Sequence, residues 1–413
     1  MALALKNKHI LISGASIAGP ALAYWLTRYG FSVTVVEKAP AIREGGYRVD
    51  IRGTAVDIVE RMGLFDEIKA KESTMRGSSV VNRKGERLVN FDDPNLFGMR
   101  QERDVEIMRG DLANVLYEAT REEVNYIFDD TIVCFEEVDD RVLVQFKRGE
   151  ARIFDLVVGA DGLHSRVRSL AFEEDRTCIH HLGYYVAVFG VPNTFNLDHW
   201  ELLYSSNGKA VNVFSMNEQE EAKVYCLFST TEPVKYHHQD IPAQKKILLD
   251  HFRQEEGFIT ELLPYLSDTD DFYFDSISQV RLSALSSGRT VLLGDAGYCA
   301  SPASGQGTSL ALVGAYILAG ELAKTAGEHT VAFAAYEQEM RTYIEKNQEL
   351  GVWALEEMVP HSRKQAWFQL FMLRVLIRLP WRKQILKSFL KKIQETVDAA
   401  ANAIRPIRYE EQY

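Results

Sequence analysis

Two acids that each close an apolar run, Glu37 and Asp295, mark where this chain could hold a polar, anionic ligand. Val291-Leu292-Leu293-Gly294-Asp295 reads as a strand ending on a carboxylate, followed by small residues, Pro302 and Gly305-Gln306-Gly307 leading into a helix. A carboxylate so placed accepts a hydrogen bond from a ligand hydroxyl. The glycines let bare backbone N–H groups at the helix start approach an anionic or electron-rich group. Near the N-terminus, His9 to Ser13 reads as a buried strand, Gly14-Ala15-Ser16-Ile17-Ala18-Gly19 as a tight turn and Pro20 to Tyr29 as a helix. Phe31 to Val36 is a second strand, and it ends on Glu37, eighteen residues after Gly19. An acid at that distance can bind the ribose hydroxyls of an adenine dinucleotide whose pyrophosphate rests on the helix N-terminus. Ser16 replaces the middle glycine of that fingerprint, so the pyrophosphate would meet a hydroxymethyl group there.

A third strand, Asp155 to Gly159, also runs into an acid and a glycine, Asp161-Gly162. With Gly14 to Glu37 and Gly294-Asp295, this ordered trio resembles the para-hydroxybenzoate hydroxylase family, the class A FAD-dependent monooxygenases. Gly294-Asp295-Ala296, Pro302 and Gly305-Gln306-Gly307 make it most similar to the branch of tetracycline-inactivating monooxygenases. The resemblance runs from about residue 8 to about residue 345.

The resemblance implies that Gly14, Ser16, Ile17, Ala18 and Gly19 line the pyrophosphate of a non-covalent FAD, with Glu37 on the adenosine ribose and Lys38 beside the adenine. Arg109 would reach the ribityl and phosphate region, Asp161 would be the second acid of the pattern, and Asp295 would bind the ribityl chain. Pro302 and Gly305 to Gly307 would face the flavin, and Arg48 and Asp50 would approach it from the opposite side. Taken as residues alone, Arg48 and Arg109 also read as surface charges, and Asp161 as the cap of the next helix. Tyr298 and Ser309 depart from the commoner histidine and asparagine of the family, and both are expected near the flavin edge. The implied chemistry is reduction of FAD by NADPH or NADH as a transient reductant, capture of O2, and oxygen transfer from a flavin C4a-hydroperoxide to an aromatic or polyketide-like small molecule. Antibiotic modification belongs to that range; an FAD-dependent oxidoreductase or dehydrogenase without oxygen transfer and a ligand-binding flavoprotein with negligible turnover are the alternative readings.

These motifs are scattered, which indicates how the chain is built. The expected fold is α/β: a Rossmann-like FAD-binding domain with an inserted, mainly antiparallel β-sheet substrate domain and a C-terminal helix. Residues 1–78, 100–175 and 275–345 would form the FAD-binding domain, 79–99 a hairpin of the substrate domain, 176–274 its main sheet and 346–413 a C-terminal helical segment. Strands are expected at Gly183 to Val191, Trp200 to Ser205, Lys209 to Met216 and Ala222 to Thr230, with a turn at Asn207-Gly208. Their aromatic and polar residues, Tyr184, Phe189, Tyr204, Asn212, Phe214, Met216 and Phe228, are candidate substrate liners together with Tyr298.

The formal charge of −11 argues against nucleic acid as a partner, because polyanion binding is driven by clustered basic charge. Cys134, Cys178, Cys226 and Cys299 are widely spaced, which argues against a metal site or a disulfide framework and for a reducing cytoplasm. A monomer or homodimer is expected. The apolar stretch Trp367 to Leu379 is too short and too charged to span a bilayer. The resemblance implies a helix buttressing both domains there rather than a membrane contact; a basic helix lying on a membrane surface is the alternative reading.

Overall fold

Ile10, Leu11 and Ile12 are all fully buried, which is what a strand covered on both faces requires and what places His9–Ser13 at the centre of a parallel sheet. In the computed structural model, which describes residues 5–409 except 44, 93–100, 174–176, 219, 238–239, 270 and parts of 361–381, that sheet has six strands. Their order is Ser286–Ser287, Thr290–Leu292, Leu156–Gly159, His9–Ser13, Ser32–Val36 and Asn125–Ile127. All neighbours pair in parallel except Ser286–Ser287 with Thr290–Leu292. The chain leaves His9–Ser13 toward one edge and later returns on its other side, so a crevice opens beyond its carboxyl end. The helices Ala18–Arg28 and Gly307–Lys324 share one core with the sheet.

A second sheet of seven strands runs Phe272–Val280, Ile179–Val191, Ala222–Ser229, Lys209–Ser215, Trp200–Ser206, Gly77–Val81 and Arg87–Phe91. Only Trp200–Ser206 and Gly77–Val81 pair in parallel. Alternation gives it two different faces. Tyr185, Phe189, Val213, Cys226 and Phe228 pack in one cluster with Leu248, Phe252, Phe258 and Leu262 of the helices Ile241–Phe252 and Phe258–Leu262. Tyr184, Val186, Leu227 and Ile277 lie on the other face, with Leu355 and Val359 at the end of the long helix His329–Met358.

Several details differ from the expectation. The sheet continues past 274, because Phe272–Val280 pairs antiparallel with Ile179–Phe189. The two helices covering its outer face have apolar spacing too short to stand out in sequence. The hairpin Gly77–Val81 and Arg87–Phe91 turns through 82–86, while 93–99 of the expected 79–99 unit lie outside the described residues. Asn125–Ile127 joins the parallel sheet, and Ile132–Val138 belongs to a separate three-stranded sheet with Arg141–Phe146 and Arg152–Phe154.

The C-terminal helix Arg382–Ala401 packs Val397 and Ala400 on Leu350 and Trp353 of the long helix. The chain end returns to the core, where Tyr409 donates to Glu321 Oε1 at 2.7 Å. Among the described residues, no helix is long and apolar enough to cross a membrane. The four cysteines are free.

Candidate active site

The turn after the first strand is made by close packing of backbone on backbone. Gly14 has φ +109°, and a Cβ there would lie 2.4 Å from Ala160 O; one at Gly19 would lie 1.9 Å from Gly14 O. Only glycine fits either place. The helix that follows, Ala18–Arg28, has no side-chain cap and no acid in its first turn. Gly307–Lys324 likewise starts uncapped behind Gln306. Gly294 joins the two, since a Cβ on it would meet Ala18 Cβ at 3.3 Å and Ala311 Cβ at 3.7 Å. Two helix starts, each with unpaired N–H donors and a positive dipole end, therefore flank Gly294-Asp295.

Glu37 closes the second strand and accepts from the backbone N–H of Ala15 and of Ala39, both at 2.9 Å. Its carboxylate is held at the fingerprint turn with acceptor capacity remaining. Lys38 beside it is exposed. Asp161 has the capping role instead: it accepts from the Ser165 hydroxyl and from the N–H groups of Arg166 and Val167, at the start of the helix Arg166–Ala171. Both oxygens are so engaged, which is the helix-capping reading of this residue, and Oδ1 keeps acceptor capacity as the Glu37 carboxylate does.

Asp295 is accessible to solvent yet surrounded by enough protein that burial holds its carboxyl above the usual range, against the opposing effects of the Cys299 thiol and Arg109. Tyr273 has the same double character, 40% exposed but with its phenol pushed well up by burial. Tyr47 and Tyr225, both partly accessible, are likewise raised by burial. The Tyr47 and Tyr273 rings lie 6.1 Å apart, so these partly accessible groups stand together and mark the cleft where the carboxyl end of the parallel sheet faces the seven-stranded sheet. Arg109, at the start of the helix Arg109–Glu118, stands 6.0 Å from the Tyr47 ring centroid.

Arg48 does not end in that cleft as a free cation. It donates to Glu106 Oε2 at 3.0 Å and Glu201 Oε2 at 2.8 Å, and its guanidinium lies 4.3 Å from the Phe214 ring centroid. It joins the two-stranded sheet of Arg48–Ile51 and Val105–Met108, to which Glu106 belongs, to the strand Trp200–Ser206 of the seven-stranded sheet. Asp50 pairs with Arg52 at 2.9 Å and comes close to the small-residue turn, 3.7 Å from where a Cβ on Gly305 would be.

The candidate substrate liners separate by face. Asn212 and Phe214 lie on the inner face; Asn212 Nδ2 donates to Glu201 at 3.1 Å. Tyr184 shares that face but packs against Leu355 and Val359. Phe189 and Phe228 point the other way, into the core beneath the outer helices, and Tyr204 meets Phe258 edge-on at 5.6 Å on the same side. These three are corrected to core residues, because strand alternation places them opposite Asn212 and Phe214. Met216 lies beyond the end of Lys209–Ser215. Tyr298 is also core: it is fully buried and accepts from the Tyr336 hydroxyl at 3.0 Å, one helical turn past Asp295 and facing away from the cleft. Ser309 is buried and accepts from Arg52 N.

Sequence reasoning missed Tyr47, Tyr225, Tyr273 and Asp275. Asp275 accepts from Tyr236 at 2.9 Å and lies 3.0 Å from His164 Nε2. A signal was present, since tyrosine keeps a polar tip that phenylalanine lacks and so favours a wet cleft over a dry core.

Whether FAD suits this place is tested by polar groups without partners. Gln306 is fully buried, yet neither its Nε2 nor its Oε1 has a hydrogen-bond partner. Asp50 Oδ1 is buried and unpaired as well. Such groups cost about 1–3 kcal/mol each if left unmade. The Gln306 amide offers a donor and an acceptor side by side, which suits the imide edge of a flavin, and the uncapped helix starts suit a pyrophosphate. Among the described residues, no cluster of three His, Cys, Asp or Glu could hold a metal ion.

Residues 7–350 match the FAD binding domain family. The chain is 43% identical, over 363 residues, to a flavin-dependent monooxygenase of an unknown prokaryotic organism, covering 87% of this chain and 93% of that one. A flavin-dependent monooxygenase of Legionella longbeachae is 40% identical over 354 residues, 86% of this chain and 90% of its own. The crystal structure of tetracycline destructase Tet(55) superposes with a TM-score of 0.83 at 38% identity, over 97% of this chain and 99% of that one. Fold and cleft thus define an FAD-dependent monooxygenase. The chain belongs to the FAD binding domain family of class A flavin monooxygenases.

Proposed function

We propose that the protein hydroxylates a flat aromatic or polyketide-like small molecule, held between the inner face of the seven-stranded sheet and the flavin, with NADPH or NADH docking transiently as reductant. The observation that carries this reading is a group of partly accessible tyrosines, Tyr47 and Tyr273 with rings 6.1 Å apart and Tyr225 on the inner sheet face with Asn212 and Phe214. Phenol rings offer flat apolar area and a hydroxyl at its edge, which suits a fused-ring ligand bearing oxygen substituents. The likeness to tetracycline destructase Tet(55) supports a tetracycline-type scaffold as the first ligand to try.

In this reading a non-covalent FAD is held by Gly14, Ser16, Ile17, Ala18 and Gly19 at its pyrophosphate, by Glu37 at the adenosine ribose with Lys38 beside the adenine, and by Arg109 and Asp295 along the ribityl chain. Gln306, between Gly305 and Gly307, meets the pyrimidine edge; Pro302 fixes the turn and Asp50 stands close to it. When bound, FAD supplies two-electron transfer from the nicotinamide and delivery of one atom of O2 to the substrate. The chain's residues keep that chemistry oriented and dry: the two helix starts anchor the phosphates, and Arg48 clamps the sheet over the cleft. A cytoplasmic setting accords with the four free cysteines.

The test is stopped-flow turnover of FAD-loaded protein with NADPH or NADH, O2 and a panel of phenols and tetracyclines. Oxygen-dependent formation of a product heavier by one oxygen atom is expected. Reductant consumption that no panel member stimulates, with only hydrogen peroxide formed, would overturn the substrate class.

A further inference from the structure

Between Glu357 and Glu395 the sequence holds nine Lys and Arg and no Asp or Glu, in a chain whose formal net charge is −11. The same stretch carries the most exposed aromatic side chains among the described residues: Trp367 is 65% exposed, Phe368 56% and Phe371 46%. Met372 and Val375 are exposed with them. All five are helical, and their positions recur at a spacing that puts them along one stripe. The Trp367 and Phe371 rings stack on each other with centroids 5.3 Å apart rather than on a core.

Both ends of the stretch are tied to the body of the protein. Leu355 and Val359 pack under the seven-stranded sheet on one side, and Val397 and Ala400 pack on Leu350 and Trp353 on the other. The stripe stands out to solvent between these anchored ends, and Lys364, Lys391 and Lys392 of the same stretch are exposed as well. A contiguous exposed apolar stripe marks an interaction surface.

Charge decides what meets it. A second copy docking through this face about a two-fold axis would set one basic cluster against the other. An anionic bilayer surface attracts the same charges and accepts Trp and Phe at headgroup depth. Crossing the bilayer is not available, because no described helix is long and apolar enough and Arg374 and Arg378 interrupt the apolar run. We propose that Trp367, Phe368, Phe371, Met372 and Val375, in a stretch of sequence rich in Lys and Arg, form a peripheral membrane-binding face that lies on bilayers containing anionic phospholipid. The aromatic stripe inserts at the headgroup layer, and the net positive charge of the stretch draws it there. This goes beyond the hydroxylation reading and does not rest on it.

The experiment is vesicle flotation of the full-length, FAD-loaded protein, with phosphatidylcholine alone and with phosphatidylcholine mixed with phosphatidylglycerol, at low and high salt. Binding is expected only to the mixed vesicles, weakening as salt shortens the range of the attraction. Lys391→Gln and Lys392→Gln should each weaken it about fivefold. Trp367→Ser with Phe371→Ser should weaken it by about tenfold or more with FAD content unchanged. Tryptophan emission should shift to the blue on mixed vesicles, and Trp367→Phe should remove most of that shift. The proposal is overturned if the protein fails to float with anionic vesicles at low salt, if it floats equally with neutral ones, or if the lysine variants bind like the parent. It is also overturned if sedimentation finds a dimer that Trp367→Ser with Phe371→Ser dissociates, which would make the stripe a subunit interface.

Discussion

Arg48 and Glu201 belong to different sheets and meet at 2.8 Å, with Arg48 also bound to Glu106 and resting on the Phe214 ring. This half-buried cation fastens the seven-stranded sheet to the strand Arg48–Ile51. Removing one partner of a buried pair leaves the other charge uncompensated, at about 3–5 kcal/mol. Arg48→Met should therefore lower unfolding stability by about that amount, and adding Glu201→Gln should restore part of it. Urea unfolding of the single and double variants measures the coupling, and additive losses would show that the pair does not act as a clamp.

Tyr298 and Gly314 form a second dependency. A Cβ on Gly314 would lie 2.1 Å from the Tyr298 hydroxyl and 3.3 Å from the carbon that bears it. Gly314→Ala should destabilise by about 1–3 kcal/mol through overpacking. Tyr298→Phe alone should cost about 1 kcal/mol for the lost Tyr336 hydrogen bond. Combined, the two should cost less than their sum, because the phenylalanine vacates the space the new methyl needs. Melting temperatures with FAD content as a control check this, and strict additivity would count against the packing account.

Asp295 supplies a pH prediction. Burial raises its carboxyl above the usual range in the folded protein. Its contribution to stability is thus fully present below the unfolded pKa and is lost as pH rises through the folded one. In the FAD-free protein, Asp295→Asn should melt higher than the parent at neutral pH, with the gap closing as pH falls into the carboxylate range. With FAD present the order should reverse, because a charge-assisted hydrogen bond of about 1.5–3 kcal/mol, one to two decades in affinity, is lost. Asp155 is the contrast: it accepts from the N–H of Lys8 and His9, both at 2.8 Å, so Asp155→Ala should cost stability and leave FAD affinity near the parent's.

The two faces of the seven-stranded sheet should respond differently. Phe228→Ala empties the outer core and should cost about 3–5 kcal/mol of stability. Tyr225→Phe, on the inner face, should change substrate-stimulated reductant oxidation and product profile while leaving FAD occupancy and melting temperature near those of the parent. Phe214→Ala should shift both readouts, since Phe214 touches the Arg48 clamp. If Tyr225→Phe and Phe228→Ala gave the same pattern, the inner face would not be the substrate face.

The cofactor half was legible along the chain because its signals are local. Gly14 to Gly19, the strand ending on Glu37 and Gly294-Asp295 each work through bonds and turns within a few residues, so type and spacing carry the information. The substrate half was not. Its strands were readable at Trp200–Ser206, Lys209–Ser215 and Ala222–Ser229, but Tyr184 with Phe189, and Asn212 with Phe228, were set on one face although they point to opposite sides. Which side of a strand meets the cleft depends on pairing register and on what covers the back, here the helices Ile241–Phe252 and Phe258–Leu262.

The same reasoning divides the charged residues. By itself the sequence determined a dinucleotide turn, two strand-ending acids, an acidic chain and a basic, aromatic C-terminal stretch, all properties of residue type and near-neighbour order. Only the tertiary structure decided that Arg48 clamps two sheets, that Asp161 caps a helix and that Tyr298 turns from the cleft into the core. A charge or ring can serve either as ligand contact or as internal brace, and the choice rests on which distant groups the fold brings within about 3 Å, where a hydrogen bond forms.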